Sequence, residues 1–328
     1  MNKRRNLIVA LGAGALAVPL GSFAQQQGKV WRIGFLWDSD QSDPNYVQRL
    51  EAFKSGLREL GYADSRDYAI EQRSARGDLA RLSELAAELL SLKVDLIFPS
   101  GTASALAARK ITSDVPIVFA SVGDPVGSGL ATNLRRPGGN VTGVTNLSTE
   151  LYTKRLDLLR QILPGMRRVG FLYNPDNDSD ALGLRQFESD CGKLQFTSIR
   201  APVRKAEDVA TAFNTLQRDK AQGLIVSVTI ASMRKSIAEL TAKHHLPAIF
   251  GQSEFAEAGG LIAYYVNLVD QYRRAATYAD KIFKGAKAGD LPIEQPLKFE
   301  TVINLKTAKA LGIKIPDTIM LRADKVIE

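Results

Sequence analysis

Short apolar runs alternate with longer amphipathic stretches along most of the chain. Val30-Trp31-Arg32-Ile33-Gly34-Phe35-Leu36 has the character of a buried strand, and Tyr46 to Leu60 has the spacing of an amphipathic helix that Gly61 terminates. The same alternation predicts a strand from Tyr68 to Arg73, a Leu/Ala-rich helix from Leu79 to Leu92, a strand from Val94 to Phe98 and a helix beginning near Ala103. Strands that alternate with helices imply a parallel sheet covered on both faces.

The unit then occurs a second time. Arg32-Ile33-Gly34-Phe35-Leu36-Trp37 recurs as Arg168-Val169-Gly170-Phe171-Leu172-Tyr173, each an apolar strand that ends in an aromatic before an Asp- or Asn-containing loop. Leu96-Ile97 with Ala103-Ser104 is echoed by Leu224-Ile225 with Ala231-Ser232, and Val115-Pro116-Ile117-Val118-Phe119 by Leu246-Pro247-Ala248-Ile249-Phe250. Gly129-Leu130 returns as Gly260-Leu261. Buried parallel strands share a composition, so one match means little. Several matches in the same order point to two similar α/β lobes.

Between the copies, Arg135 to Thr145 is turn-rich and runs into a β-branched strand, as a crossing between lobes should. After the second copy come a long amphipathic helix from Leu268 to Lys284, a Gly/Pro-rich connection from Gly285 to Pro292, a strand from Phe299 to Leu305 and a helix from Lys306 to Leu311. The chain is therefore expected to cross more than once. Residues 25–145 with about 266–289 would form lobe 1, and 146–265 with about 290–328 lobe 2.

A length of 328 residues, 45% of them hydrophobic and 24% charged, is enough for two ordinary domains without staples. The lone Cys191 cannot form an internal disulfide, and no Cys/His cluster exists to hold a metal, so neither metal nor cofactor is expected. The net charge of +8 invites a nucleic-acid reading. Its placement argues otherwise. Lys3, Arg4 and Arg5 precede an uncharged run from Leu7 to Phe23, interrupted by Pro19, with the small residues of a cleavage site at Ser22-Phe23-Ala24. This reads as a secretory signal over residues 1–24, cleaved after Ala24, which leaves +5 and an expected periplasmic, monomeric product that binds no nucleic acid. Both the general secretory and the twin-arginine routes stay open. The Gly12-x-Gly14-x-x-Ala17 match to a dinucleotide fingerprint lies in this segment with no strand before it.

In open α/β sheets ligands bind at the carboxyl ends of the strands, and two facing lobes make a cleft able to close by hinge motion. The loops so selected are Trp37-Asp38-Ser39, Ser100-Gly101-Thr102-Ala103, Ser121-Val122-Gly123-Asp124, Tyr173-Asn174, Ser227-Val228-Thr229 and Gln252-Ser253-Glu254. Ser100, Gly101, Thr102 and Ala103 form a helix start suited to a carboxylate, or merely cap that helix. Asp124 either binds an ammonium or a hydroxyl across the cleft or makes an Asp-Pro turn. Ser121, Thr229 and Gln252 are polar residues in the same set of loops. Trp37, Tyr173, Tyr264 and Tyr265 sit at strand ends, suited to stacking on a ligand or to core packing.

An exported hydrolase would need an activated nucleophile. His244 and His245 are adjacent at a helix end, and Gly251-Gln252-Ser253-Glu254-Phe255 lacks the second glycine of a nucleophile elbow. Neither HExxH nor a P-loop is present, and nothing singles out a carboxylate pair or a cleft Ser. A sugar-repressor-like regulator would carry a DNA-reading headpiece where the signal stands.

The combination of Gly101-Thr102-Ala103, Pro116-Ile117-Val118-Phe119, Asp124-Pro125-Val126-Gly127 and Arg136-Pro137-Gly138-Gly139-Asn140-Val141-Thr142-Gly143 resembles the ABC-transporter substrate-binding protein family that includes tryptophan/tyrosine-type binding proteins. Gly259-Gly260-Leu261, Tyr272-Arg273-Arg274-Ala275-Ala276, Leu291-Pro292-Ile293-Glu294-Gln295-Pro296, the segment Val302 to Gly312 and the closing Arg322 to Glu328 extend the likeness over nearly the whole mature chain. The resemblance implies a type I periplasmic binding-protein fold, two Rossmann-like lobes with parallel sheets joined by three crossings. It implies a cleft ligand such as an amino acid or aromatic or organic acid, delivered to a permease driven by a separate ATPase, and no enzymatic activity. By the same resemblance Ser100, Thr102 and Ala103 would take the ligand carboxylate, and Asp124 would face its amino group or another polar end. Ala263-Tyr264-Tyr265-Val266-Asn267 departs from the family by placing a second aromatic where many relatives have Gly, which implies an altered pocket. A ligand-sensing receptor for a signalling partner is an alternative on the same scaffold.

Overall fold

The computed structural model describes residues 29–328, so the signal segment lies outside the described residues. The first lobe runs through β1 (Trp31–Trp37), α1 (Pro44–Glu59), β2 (Tyr68–Ser74), α2 (Leu82–Ser91), β3 (Leu96–Pro99), α3 (Thr102–Ile111), β4 (Ile117–Val122) and β5 (Val141–Thr145). Local chemistry sets these bounds. Asp43 accepts the Asn45 N–H and Pro44 occupies the first helical position of α1, while Gly61, at φ +91°, lets the chain leave it.

The second lobe repeats the plan with α4 (Ser148–Ile162), β6 (Arg168–Tyr173), α5 (Asp178–Lys193), β7 (Thr197–Pro202), α6 (Asp208–Arg218), β8 (Gly223–Val226), α7 (Arg234–Lys243), β9 (Ala248–Phe250), α8 (Ser253–Glu257) and β10 (Ile262–Tyr265). The chain then returns through α9 (Leu268–Phe283) and finishes with β11 (Glu300–Asn304), α10 (Leu305–Ala310), α11 (Asp317–Met320) and β12 (Lys325–Ile327).

Strand order is β2-β1-β3-β4-β5 in one sheet and β12-β11-β10-β9-β8-β6-β7 in the other. The first five strands of each copy thus occupy corresponding places, β1 with β6, β3 with β8, β4 with β9, as the repeat in the sequence required. Each sheet is covered on both faces. The first-lobe clusters gather Phe35, Phe53 and Phe98 with Tyr272 and Tyr278 of α9 on one side, and Leu85, Leu89 and Ala105 with Phe119 on the other. In the second lobe Phe213 and Phe250 lie on one face and Tyr152, Phe171 and Phe187 on the other.

Two details differ from the reading of the sequence. Val141 to Thr145 is not the crossing; it is β5, paired parallel to β4, and the chain changes lobe at Asn146-Leu147. The second sheet is not wholly parallel, because β11 runs antiparallel to β10. It enters beside Tyr265, the end at which β10 leaves, since the chain comes back from the first lobe on the hinge side. That return stays bonded to the first lobe as far as Glu294, whose N–H reaches Gly143 O at 3.0 Å and whose carbonyl accepts the Thr145 N–H at 2.9 Å.

Candidate functional site

The two lobes present matching loops to each other. Ser100, after β3, donates its N–H to Leu36 O at 2.9 Å, and Ser227, after β8, donates to Leu172 O at 2.9 Å. Between these loops lies a cavity of about 160 Å³ lined from both lobes. It is below the roughly 300 Å³ typical of drug-sized pockets, which suits a small solute. The starts of α3, α4 and α5 converge on it through Thr102, Ser148 and Ser179. The positive ends of three helices make that region a receptor for an anion, with the Ser148 and Ser179 N–H groups held by Asn146 and Asn177 Oδ1 at 3.1 and 3.0 Å and the hydroxyls facing the cavity.

The first-lobe wall carries an acid with one oxygen unsatisfied. Asp38 follows β1, and its backbone N–H is fixed on Ser100 Oγ at 3.1 Å. Its carboxylate lines the cavity, yet Oδ1 is shielded from solvent and accepts no hydrogen bond. Burial pushes the Asp38 carboxyl above the ordinary range, against the lowering effect of hydrogen bonds from Ser104 and Ser100. A cationic donor would relieve that cost. Beside it the Trp37 ring is 3% exposed, with the Arg49 guanidinium 5.7 Å above its centroid and Nε1 unpartnered. Ser100 is anchored from behind, since its carbonyl accepts Tyr272 OH at 2.9 Å and Ser121 Oγ at 2.5 Å.

The second-lobe wall shows amides and hydroxyls with Arg204, paired to Asp176, at its edge, and holds its acid one layer back. Asn174, in the position corresponding to Asp38, lines the cavity with Asn177, Ser179, Thr229 and Gln252. Behind them Asp180 accepts Ser227 Oγ and Thr229 Oγ1, each at 2.5 Å, and the Asn174 N–H at 2.7 Å. Tyr152 OH extends the network to Ser227 at 3.1 Å, and the buried Arg155 lies 5.2 Å over the Tyr152 ring.

Of the residues selected from the sequence, Trp37, Ser100, Gly101, Thr102, Ser121, Thr229 and Gln252 line this cavity together. Five do not. Ala103 is 8% exposed and faces the core beneath α2 and α3. Asp124 closes its own turn by accepting the Gly127 N–H at 2.7 Å, and it borders a separate groove with Val126, Leu134 and Glu150, because the Asp-Pro turn carries it past the cleft. Tyr173 is buried and stacked on Phe171 at 5.4 Å. Tyr264 stacks on Phe299 at 6.0 Å. Tyr265 donates to Glu300 at 2.7 Å and borders an adjoining groove that meets the cavity at Gln252 and Arg49. Sequence reasoning passed over Asp38, Ser148 and Ser179 as individual site residues. For Asp38 a signal existed, the acid that follows the aromatic of the repeated strand.

Among the described residues no cluster of His, Cys, Asp and Glu is placed to hold a metal, and no helix is long and apolar enough to cross a membrane. His244 packs on the Phe213 ring at 5.7 Å and His245 follows it at the end of α7, and neither lines the cavity.

The lobes meet closely at Gly123, just after β4. A Cβ there would stand 2.2 Å from Ser148 Oγ and 2.5 Å from Ser179 Oγ of the second lobe. α3 and α5 also approach each other across the cleft.

Comparison with known proteins agrees with this geometry. The family model described as ABC transporter substrate binding protein matches residues 42–327. A protein named tyrosine-binding protein from Clostridioides difficile (strain R20291) is 26% identical over 273 residues, 83% of this chain and 78% of that protein. The crystal structure of an ABC domain in complex with L-Trp from Streptococcus pneumonia superposes with a TM-score of 0.83 at 26% identity, covering 91% of this chain and all of that one. The ligand-free, open structure of a substrate-binding protein with adhesive properties from Clostridium difficile, also 26% identical over 91% of this chain and 99% of its own, gives 0.65. At equal identity and near-equal coverage the whole-chain superposition is closer on the ligand-bound structure than on the open one.

Proposed function

The chain belongs to the ABC transporter substrate-binding protein family, and from that premise we propose that it captures a small zwitterion between its lobes outside the cytoplasmic membrane and presents the closed form to a permease driven by a separate ATPase. The observation that carries this reading is the pairing, within one cavity of about 160 Å³, of converging helix N-termini with an Asp38 carboxylate whose Oδ1 accepts no hydrogen bond. The ligand carboxylate lies against the starts of α3, α4 and α5, near Thr102, Ser148 and Ser179. Its ammonium lies against Asp38, which takes the part that family resemblance assigned to Asp124.

An amino acid carries both groups, and amino acids are what the names of two relatives describe. Binding then shifts the population from open to closed lobes, and the closed form is the signal the permease reads. The matching family and the ligand-bound neighbour are binding proteins, which supports a carrier over an enzyme. The basic and apolar N-terminal segment supports export to the periplasm.

Calorimetry with amino acids and with the same molecules lacking the amine tests the assignment. Amino acids bind, and removal of the amine weakens binding about tenfold or more, a cost of ~1.4 kcal/mol or above. Equal affinity for the deaminated acids would remove Asp38 from the site. Failure of every amino acid to bind would overturn the ligand class.

A further inference from the structure

Asp180 is fully buried in the first turn of α5, and the direction of its hydrogen bonds bears on the ligand. An ionised carboxylate only accepts, so Thr229 gives its single hydroxyl proton to Asp180. Ser227 is committed in the same way, and it accepts from Tyr152 OH at 3.1 Å and from Thr229 N at 3.2 Å. The 3.2 Å approach of the Ser227 and Thr229 hydroxyl oxygens therefore carries no proton. Thr229 is left with lone pairs for the cavity it lines. The Asn174 N–H on the same carboxylate ties down the loop that brings Asn174, Asn177 and Ser179 to the cavity.

We propose that Asp180 is a positioning residue of the ligand site: its ionised carboxylate orients Thr229 as an acceptor, so the second-lobe wall selects a ligand with a hydrogen-bond donor there, and protonation of Asp180 loosens that ligand. This rests on the cleft being the ligand site. When the carboxyl is neutral it holds a proton of its own, and the Thr229 proton is free to turn into the cavity. Thr229 then changes from an acceptor to a donor towards the ligand.

Burial lifts the Asp180 carboxyl to about 6, against hydrogen bonds from Ser227, Thr229, Asn174 and Tyr152 that lower it. The ionisable groups around it are Tyr152 and, one turn on in α4, Arg155, together with Tyr173 at the end of β6. From the β8 side it meets only hydroxyls and backbone. Burial raises both tyrosines, which stay neutral, and lowers Arg155 only to about 10, so it stays charged. Near neutral pH the change of charge in this network belongs to Asp180.

The test uses the purified protein with L-tyrosine and L-tryptophan as probes, calorimetry at about pH 7.5 and about pH 5, and the variants Asp180→Asn and Thr229→Val. In parallel the Asn174 amide resonance of the unliganded protein is followed through a pH titration. The wild type loses about tenfold in affinity at the lower pH, whereas Asp180→Asn is already about tenfold weaker at the higher pH and insensitive to acid. Thr229→Val shows a similar loss at the higher pH. The Asn174 resonance titrates near pH 6 in the wild type and is flat in Asp180→Asn. Wild-type affinity in both variants overturns the inference, as does an acid loss that survives in Asp180→Asn and so belongs to Asp38. If neither probe binds, the ligand reading fails on its own, and an Asn174 resonance that does not titrate near pH 6 overturns the inference independently.

Discussion

The two walls of the cleft are made from one structural unit and use acid in opposite ways. Ser100 and Ser227 make the same bond to the strand beside them, and Asp38 and Asn174 follow corresponding strands. In the first lobe the acid stands at the surface of the cavity with an oxygen that nothing satisfies. In the second it lies on a helix, one layer back, with three donors upon it. An acid with an unmet acceptor is available to a ligand, and a saturated one acts through the groups it holds. The aromatics divide likewise. Trp37 borders the cavity, packed against Tyr46 and Tyr272, whereas Tyr173 at the matching strand end turns into the core.

The strongest way to break this arrangement is to keep the walls apart. Gly123→Val places methyl groups where Ser148 and Ser179 approach, and affinity for an amino-acid ligand should fall about a hundredfold or more, ~2.7 kcal/mol. Solution scattering should show the variant open with ligand present. A variant that closes with wild-type affinity would mean that this contact does not limit closure.

Next in size is Asp38→Asn, which should weaken amino-acid binding about tenfold and leave binding of the deaminated acid nearly unchanged. Asn174→Asp, the reciprocal change, should not restore it, because the added charge stands near Asp180 rather than near the ammonium.

Stability should move in the opposite direction. Both Asp38 and Asp180 have folded values raised above the ordinary 3.8, so the folded state binds more protons than the unfolded chain. Their contribution is fully present below about 3.8 and is lost as pH rises, for Asp180 through about 6. In thermal melts at about pH 7.5, Asp180→Asn should therefore match or exceed the wild type by a few degrees, an advantage that shrinks at about pH 4. A lower melting temperature at both pH values would show that the three donors outweigh the buried charge.

The smallest effect belongs to Asp124→Asn. Its carboxylate serves the Gly127 turn, so affinity should change less than about twofold, within the ±0.5 kcal/mol of an ordinary surface substitution. A loss as large as that of Asp38→Asn would return Asp124 to the ligand.

Legibility in the sequence followed locality. Buried parallel strands announce themselves as apolar runs, and the repeat of Arg32 to Trp37 in Arg168 to Tyr173 exposed the second lobe because both copies must fill the same kind of core. Gly61, Asp43 and Pro44 bound a helix through contacts within a few residues. The direction of β11 left no such trace, since alternation has period two whichever way a strand runs. Asp38 and Asp124 were equally legible as acids in loops after first-lobe strands. Their roles were not, because a turn of three residues takes Asp124 out of the cleft while Ser100, sixty-two positions from Asp38, holds Asp38 in it.

The order of residues thus dictated two α/β lobes, their likeness and the set of loops from which a site is built, for these follow from periodicity and turn chemistry along the chain. Which acid keeps an unmet oxygen at the cavity, which is saturated one layer back and how nearly the walls touch were decided in three dimensions. Burial and unmet hydrogen bonds depend on what the other lobe and distant loops bring alongside, and no local pattern encodes that.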